Sequence, residues 1–384
     1  MKIILCITGS IAATEDLKLI HELQRHGYEV ECFMTEAACE IITPLSMEFA
    51  TKKKVVTKIT GYVEHVTRAQ ADLILVAPAT ANTISKFAHK IADTTVTTLL
   101  LTASGYDTPI LFVPSMHISM YHAIKENIEK IKKDKKHAYF MEPDEAERKA
   151  KFPSKHEIVL EAERLTGKQP LKSKNVLVTT GATFEAIDAM RGITNRSSGK
   201  MGIEIAKEAY RQGANVTLLC GITHAHIPKN IRQIKVESTG EMMEVLEEKI
   251  RDTDIYVSAA AISDFTIENV CENKISSDED VMIKFTKLPK LLKRIKEINP
   301  ETYVVGFKAE AGITEEQLIN KARDRMNKYD TDLMVANDIL VKDGGVGSEN
   351  NEVIIIDKEN HEKIPLDTKE NIAKKIIQKI VKTI

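Results

Sequence analysis

The densest run of groups able to handle an anion lies in the second half of the 384-residue sequence: Thr179-Thr180-Gly181-Ala182-Thr183, then Glu185, Asp188, Arg191 and Asn195, then Ser197-Ser198-Gly199-Lys200-Met201-Gly202. Hydroxyls, small residues and the unpaired N–H groups of a helix start make a nest for phosphate. Gly199-Lys200 lacks the G-x-x-x-x-G-K-[ST] spacing of a P-loop, so the expectation rests on the whole series. Downstream, Ser258-Ala259-Ala260-Ala261-Ile262-Ser263-Asp264-Phe265 and Asn273-Lys274-Ile275 add close-approach backbone, one carboxylate and one cation. Taken singly, each is equally well an ordinary helix cap or a solvated lysine.

The first half offers a different chemistry. Gly9-Ser10 follows an apolar run, and Thr35 follows the next one, so both turns place a hydroxyl at a helix start where one phosphate can be held. In Pro78-Ala79-Thr80-Ala81-Asn82-Thr83, a proline followed by small residues lets backbone approach a flat ligand, and Asn82 carries both a donor and an acceptor. His65 can move a proton near neutral pH, although a lone histidine is more often structural. Pro114-Ser115-Met116-His117-Ile118-Ser119-Met120-Tyr121 is read with Met116 and Met120 on one helical face. The first turn has a single glycine, which leaves a dinucleotide fingerprint unsupported.

Continuously apolar segments alternating with amphipathic ones must position these residues. Ile3–Ile7, Glu29–Met34, Leu73–Val76 and Pro109–Val113 in the first half, and Val176–Val178, Asn215–Leu219, Ile255–Val257, Tyr303–Phe307 and Leu333–Ala336 in the second, predict α/β structure with two parallel sheets. Ligands of such sheets collect at the carboxyl ends of the strands. The charged stretch from Asp134 to Lys174, with Pro143, Pro153 and Pro170, is read as the separator, and Lys132–Lys136 as a solvated helix end.

Composition removes whole classes of function. With 54 Lys+Arg, 56 Asp+Glu and a formal net charge of -2, no global positive field attracts nucleic acid or an anionic membrane, and the absence of Trp argues against a base-stacking surface. Five cysteines without a C-x-x-C pair give neither a disulfide framework nor a zinc site, and a reducing cytoplasm fits best. The apolar N-terminus ends at Thr8-Gly9-Ser10, with Glu15-Asp16 close behind, and is read as a buried strand rather than a signal peptide. No apolar run approaches the ~18 to 20 residues needed to span a bilayer.

In order, a strand ending TGSIAA, an isolated His65 before a helix, PATANT and PSMHISMY resemble the homo-oligomeric flavin-containing cysteine decarboxylases. The resemblance implies a flavodoxin-like trimeric fold with flavin mononucleotide (FMN) between subunits. It implies that Gly9, Ser10 and Thr35 hold the flavin phosphate and ribityl, with Pro78 and Met116 also against the cofactor. His65 would be the catalytic histidine and Asn82 would bind the substrate carboxylate. The chemistry is reasonable, because a carboxylate leaves as CO2 once an adjacent oxidised thiol accepts its electrons. His117 replaces the Asn usual in the family's P-x-M-N-x-x-M clamp, which alters the substrate contact at that position. The family's lid cysteine has no counterpart between Met141 and Pro153, leaving Lys149, Lys151 and His156 as candidate proton donors by proximity alone.

The segment from Asn175 onward resembles the phosphopantothenoylcysteine synthetases in TTGAT-E-ID-R-N-SSGKMG, AAAISDF, NKI, GFKAE and the D-L-x-V-A-N-D run. By that resemblance Gly181, Ser198 and Gly199 would cradle phosphates, and Ala260, Asp264 and Phe307 would frame cytosine. Lys274 would stabilise nucleotidyl transfer to the carboxylate, an electrostatic role. Asn195, with Arg191 nearby, would serve the attack by cysteine's amine, while Arg325 and Lys328 would bind triphosphate. CTP and a divalent cation, Mg2+, are implied, with no dedicated metal ligands visible. The fused order resembles the bifunctional enzymes of coenzyme A biosynthesis, with a decarboxylase over 1–170 and a ligase over 171–384. Their substrates would be 4′-phosphopantothenate, cysteine and phosphopantothenoylcysteine, and their assembly decarboxylase trimers joined by ligase dimers. A nicotinamide-dependent reductase and a non-catalytic flavin-binding regulator are the alternatives. The first lacks its glycine fingerprint, and the second has no need of Lys274 and Asn195.

Overall fold

The structure, a computed structural model, describes residues 1–146, 149–276, 280–345 and 347–384, with only the backbone course given for 144–146 and 149–151. Two compact units divide the chain, Met1–Gly167 and Lys168–Ile384.

In the first unit the five-stranded sheet runs, in spatial order, Glu29–Met34, Lys2–Ile7, Leu73–Ala79, Ile110–Pro114 and Ala138–Phe140, every neighbouring pair parallel. This is the 2-1-3-4-5 order of flavodoxin-like folds. Because successive strand residues face opposite sides, Ile3, Leu5 and Ile7 pack against Asp16–Arg25 and Lys155–Thr166, while Ile4 and Cys6 join the cluster under Ala81–Ala88 and Thr95–Gly105. The strand order reverses between Lys2–Ile7 and Leu73–Ala79, and in such sheets the ligand crevice lies beyond the carboxyl ends of the strands at that point.

The second unit's sheet runs Arg232–Lys235, Asn215–Cys220, Asn175–Thr180, Ile255–Ser258, Tyr303–Glu310, Leu333–Asp338, Asn350–Ile356 and His361–Thr368. The first six are parallel in the Rossmann order 3-2-1-4-5-6, and the last two form an antiparallel edge. The helices Lys200–Arg211 and Lys369–Thr383 cover one face, and Thr239–Lys249 and Leu291–Ile298 the other. Its reversal lies between Asn175–Thr180 and Ile255–Ser258.

The stretch from Asp134 to Lys174, read as a separator, belongs largely to the first unit. Ala138–Phe140 completes the first sheet, and Lys155–Thr166, closed by a Ser154/Glu157 capping box, buries Ile158, Val159, Leu160 and Ala162. The dense Lys and Glu around those apolar positions mark the solvated face of a packed helix.

Asp16 is the anomaly of the first core. It is fully buried, and neither carboxylate oxygen has a hydrogen-bond partner among the described residues. Burial, reinforced by neighbouring Glu15, pushes its carboxyl well above the ordinary range. A folded-state value above the unfolded one of about 4 means the native protein binds the extra proton, so stability is lost as pH rises from about 4 through the folded value. Asp16→Asn removes this component. The thermal midpoint of the variant minus that of the wild type should therefore grow more positive from pH 4 to pH 8, whereas a constant difference would show that Asp16 does not bind the proton.

Candidate functional sites

In the first crevice, a Cβ added to Gly9 would lie 2.7 Å from Cβ of Ala37, so the turns after the first two strands approach too closely for any other residue. Ser10 caps the short helix Ile11–Glu15, accepting from Ala12 N at 3.5 Å. Thr35 caps Glu36–Cys39, accepting from Ala38 N at 3.2 Å, and its own N–H bonds Ile7 O at 3.1 Å. Across the reversal, Thr8 Oγ1 donates to Pro78 O at 2.6 Å and accepts from Thr80 N at 3.1 Å, tying the first turn to the third. Thr80 caps Ala81–Ala88, which leaves Asn82 exposed in its first turn.

Met116 and Met120 do not share a helix. Met116–His117 is a two-residue strand paired with Lys149–Lys151, and the helix begins only at Ile118 because His117 caps it. The His117 Nδ1 accepts from Ser119 N at 3.3 Å. Met116 packs on the core while Met120 is half exposed. Of the suggested proton donors, the side chains of Lys149 and Lys151 lie outside the described residues. His156 is an exposed surface residue with Nδ1 3.5 Å from Glu22.

His65 lies inside the short helix Glu64–Arg68, rather than ahead of it. Val63, at its N-cap, has φ 46° and ψ 50°, a left-handed conformation that a β-branched residue adopts only under strain. The Glu64 carboxyl, bonded by the Thr60 hydroxyl and N–H, is pulled down to about 2. Beside it, His65 Nδ1 is buried and has no partner among the described residues. A buried nitrogen without a partner suits an arriving ligand better than a finished core.

In the second unit, the polar series that suggested an anion nest divides into two groups. Thr180, Thr183 and Glu185 face inward: Thr180 Oγ1 donates to Gly199 O at 2.7 Å, Thr183 Oγ1 accepts from Thr239 Oγ1 and Ser263 N at 2.9 Å each, and Glu185 accepts from Thr239 N at 3.0 Å. They build the walls. The ligand-facing part is Ser197–Gly202, where Gly199, at φ 76°, turns the chain into Lys200–Arg211 with no room for a side chain: a Cβ there would lie 2.5 Å from Thr223 Oγ1.

A cavity of about 200 Å3 opens at this helix start, lined by Ser197–Gly202, Ala259–Ala261, Phe307, Asn337 and Lys369. Ser198, Gly199, Ala260 and Phe307 thus converge on one space. Gly181 borders its frame, accepting from Ala261 N at 2.8 Å. Lys200 bonds Gly347 O at 3.2 Å and pairs with Glu349. Lys369 is buried, donating to Gly345 O at 3.0 Å and Ser348 O at 2.6 Å, and burial together with Lys200 lowers its pKa. Two ammonium groups and a helix N-terminus give the cavity a positive wall. Asn337 and Lys369 escaped sequence reasoning. Asn337 stood within the D-L-x-V-A-N-D run, whereas Lys369 follows no local pattern.

The remaining expected residues stand outside that lining. Asn195 Nδ2 donates to Ala261 O and Ile262 O, both at 3.2 Å. Asp264 is exposed and paired with Lys290. Arg325 and Lys328 lie over the Tyr329 ring at 5.5 and 5.6 Å, with Arg325 Nε lacking a partner among the described residues. Lys274 is exposed next to Ile275, which is held by the hairpin Phe184–Ala186/Gly192–Thr194: Asp188 Oδ2 accepts from Ile275 N at 3.0 Å, and Arg191 Nη2 donates to Ile275 O at 2.6 Å. Among the described residues no cluster of three or more His, Cys, Asp or Glu could hold a metal ion, and no helix is long and apolar enough to cross a membrane.

Comparison with known proteins assigns residues 1–166 to the family described as Flavoprotein and residues 171–384 to the DNA/pantothenate metabolism flavoprotein C-terminal domain. The chain is 46% identical to the coenzyme A biosynthesis bifunctional protein CoaBC of Thermococcus kodakarensis, over 99% of this chain and 95% of that one. It is 39% identical to the protein of the same name from Methanocaldococcus jannaschii, over 100% and 94%. The crystal structure of the C-terminal domain of a coenzyme A biosynthesis bifunctional protein covers 56% of this chain and 98% of its own, with 28% identity and a TM-score of 0.48.

Proposed function

The chain belongs to the family of bifunctional coenzyme A biosynthesis proteins, and from that premise we propose how its two units divide consecutive reactions. The second unit ligates cysteine to 4′-phosphopantothenate through an acyl cytidylate made with CTP. The first decarboxylates the resulting phosphopantothenoylcysteine to 4′-phosphopantetheine. The observation that supports this reading is that Gly9 and Ser10 follow the strand at one strand-order reversal, while Gly181, Ser198, Gly199 and Ala260 gather at the other, each with its own close-packed turn.

In the ligase unit, the Ser197–Gly202 turn, Lys200 and the helix start bind phosphates, and Ala260 and Phe307 flank the base. Gly181 supports the turn, and Asp264, Arg325 and Lys328 join the nucleotide site from outside the cavity. Lys274 stabilises charge as carboxylate attacks the α-phosphate, with Mg2+ accompanying the triphosphate. Asn195, already oriented by the Ala261 and Ile262 carbonyls, and Arg191 serve the aminolysis.

In the decarboxylase unit, the residues present fit FMN. Gly9, at the tight turn against Ala37, and the capping hydroxyls of Ser10 and Thr35 would hold the phosphate and ribityl, Pro78 and Met116 would lie against the flavin, and the buried Nδ1 of His65 awaits a partner. Bound flavin supplies the oxidation of the substrate thiol. Asn82 and His117 bind the substrate, and His65 holds or moves the proton. Exposed Ile11, Leu45, Phe49 and Tyr62 suit contacts between decarboxylase units in a homo-oligomer; trimers joined through ligase dimers follow the family resemblance. The setting is cytoplasmic.

The purified protein should be yellow. Given 4′-phosphopantothenate, cysteine and CTP, it should release pyrophosphate and CO2 and yield 4′-phosphopantetheine by mass. A colourless protein that takes up no added FMN would overturn the first assignment, and pyrophosphate release independent of 4′-phosphopantothenate the second.

A further inference from the structure

We infer that Asp188 is a positioning residue for nucleotidyl transfer: through the Asp188–Arg191 hairpin tip it fixes the backbone on which Lys274 is presented. This rests on the reading of Lys274 given above.

The Asp188 side chain is wholly shielded from solvent, and its two oxygens are saturated. Oδ1 accepts from Met190 N at 2.8 Å and Arg191 N at 2.7 Å; Oδ2 accepts from Arg191 Nε at 2.9 Å, Arg191 Nη2 at 2.6 Å and Ile275 N at 3.0 Å. Arg191 Nη2 reaches on to Ile275 O at 2.6 Å, and Cys271 N bonds Ile187 O at 3.0 Å. The segment bearing Lys274 is therefore gripped on both sides by a hairpin tip that contributes no wall to the cavity. Burial acts to raise the Asp188 carboxyl pKa, but the N–H donors of Ile275, Met190 and Arg191 and the Arg191 guanidinium overcome it and hold the group far below the usual carboxylate range.

An ionised carboxylate is what allows one side chain to bind its own turn, the guanidinium and a remote N–H together. Asparagine has the same shape, yet its amide nitrogen must face one of those donors. The Lys274 segment would then lose a tether while the sheet is untouched. Outer partners that only orient a reacting group contribute about 10- to 100-fold to activity, and a displacement near 1 Å costs about 100-fold.

The test uses the full-length protein. Asp188→Asn should slow pyrophosphate release from CTP and 4′-phosphopantothenate without cysteine by about 10- to 100-fold, with KM for CTP changed less than about threefold. In Ile275→Pro, where Asp188 keeps its bonds to the Arg191 guanidinium, attack of cysteine on pre-formed acyl cytidylate should keep most of its rate, a separation that general loosening of the unit would not produce. Ile275→Pro, which removes the N–H that Asp188 accepts without altering the hairpin tip, provides a second route should Asp188→Asn fail to fold. A folded variant of either kind with a wild-type rate of pyrophosphate release would overturn the positioning role, as would equal slowing of both half-reactions in Ile275→Pro. Lys274→Gln runs alongside: full turnover by that variant would remove the Lys274 reading itself, and this inference with it.

Discussion

His65→Asn should stop CO2 release while ligation continues, so that phosphopantothenoylcysteine accumulates. The expected loss is about 100- to 10,000-fold, the range supplied by a well-placed proton-transfer group. Asparagine preserves much of the imidazole's shape and can still offer a hydrogen bond, but it cannot hold and release a proton near neutral pH. The structure favours a functional role over a packing one: Nδ1 of His65 is buried without a partner among the described residues, on a five-residue helix entered through the strained backbone of Val63. A packing histidine would have its nitrogens satisfied. Ligation belongs to the other unit, and FMN should stay bound because Gly9, Ser10 and Thr35 are unchanged. Product mass and CO2 release, measured on protein of unaltered flavin absorbance, check the result, and a wild-type rate of decarboxylation would refute the role.

The sequence made both sheets legible because their strands are continuously apolar, as buried parallel strands must be. The Glu29–Met34 strand follows directly from its composition. Legibility failed where charge hides periodicity, as in Lys155–Thr166, and where a three-residue edge strand, Ala138–Phe140, carries too few residues to show a pattern. It failed again at Met116, since apolar spacing cannot reveal that His117 will cap a later helix. In the ligase unit, turn residues such as Ser198 and Gly199 announced themselves by type and local order. Lys369 did not, because it reaches the cavity only through the packing of the last helix against the sheet. Nor does a sequence distinguish a polar residue that faces a ligand from one that builds the wall, which is the difference between Ser198 and Thr183.

Lys274→Gln should abolish pyrophosphate release, by about 100- to 1,000-fold or more, the loss seen when one preorganised stabiliser of transition-state charge is removed. The argument turns on where charge develops. Attack by a carboxylate on an α-phosphate brings two anions together, so the barrier falls most where a cation meets the charge as it forms. Lys200 and Lys369 already bond the loop carbonyls and Glu349 at the cavity wall, which suits them to holding a polyphosphate in the ground state. Lys274 is different: its neighbour Ile275 is anchored by Asp188 and Arg191, while the lysine itself is exposed. A fixed backbone with a solvated amine gives a cation that is positioned without being neutralised. CTP affinity, measured by calorimetry on the variant, should therefore change far less than turnover. A large loss of affinity with turnover preserved at saturating CTP would make Lys274 a binding residue, and the charge that stabilises the transition state would have to come from Lys200 or Lys369.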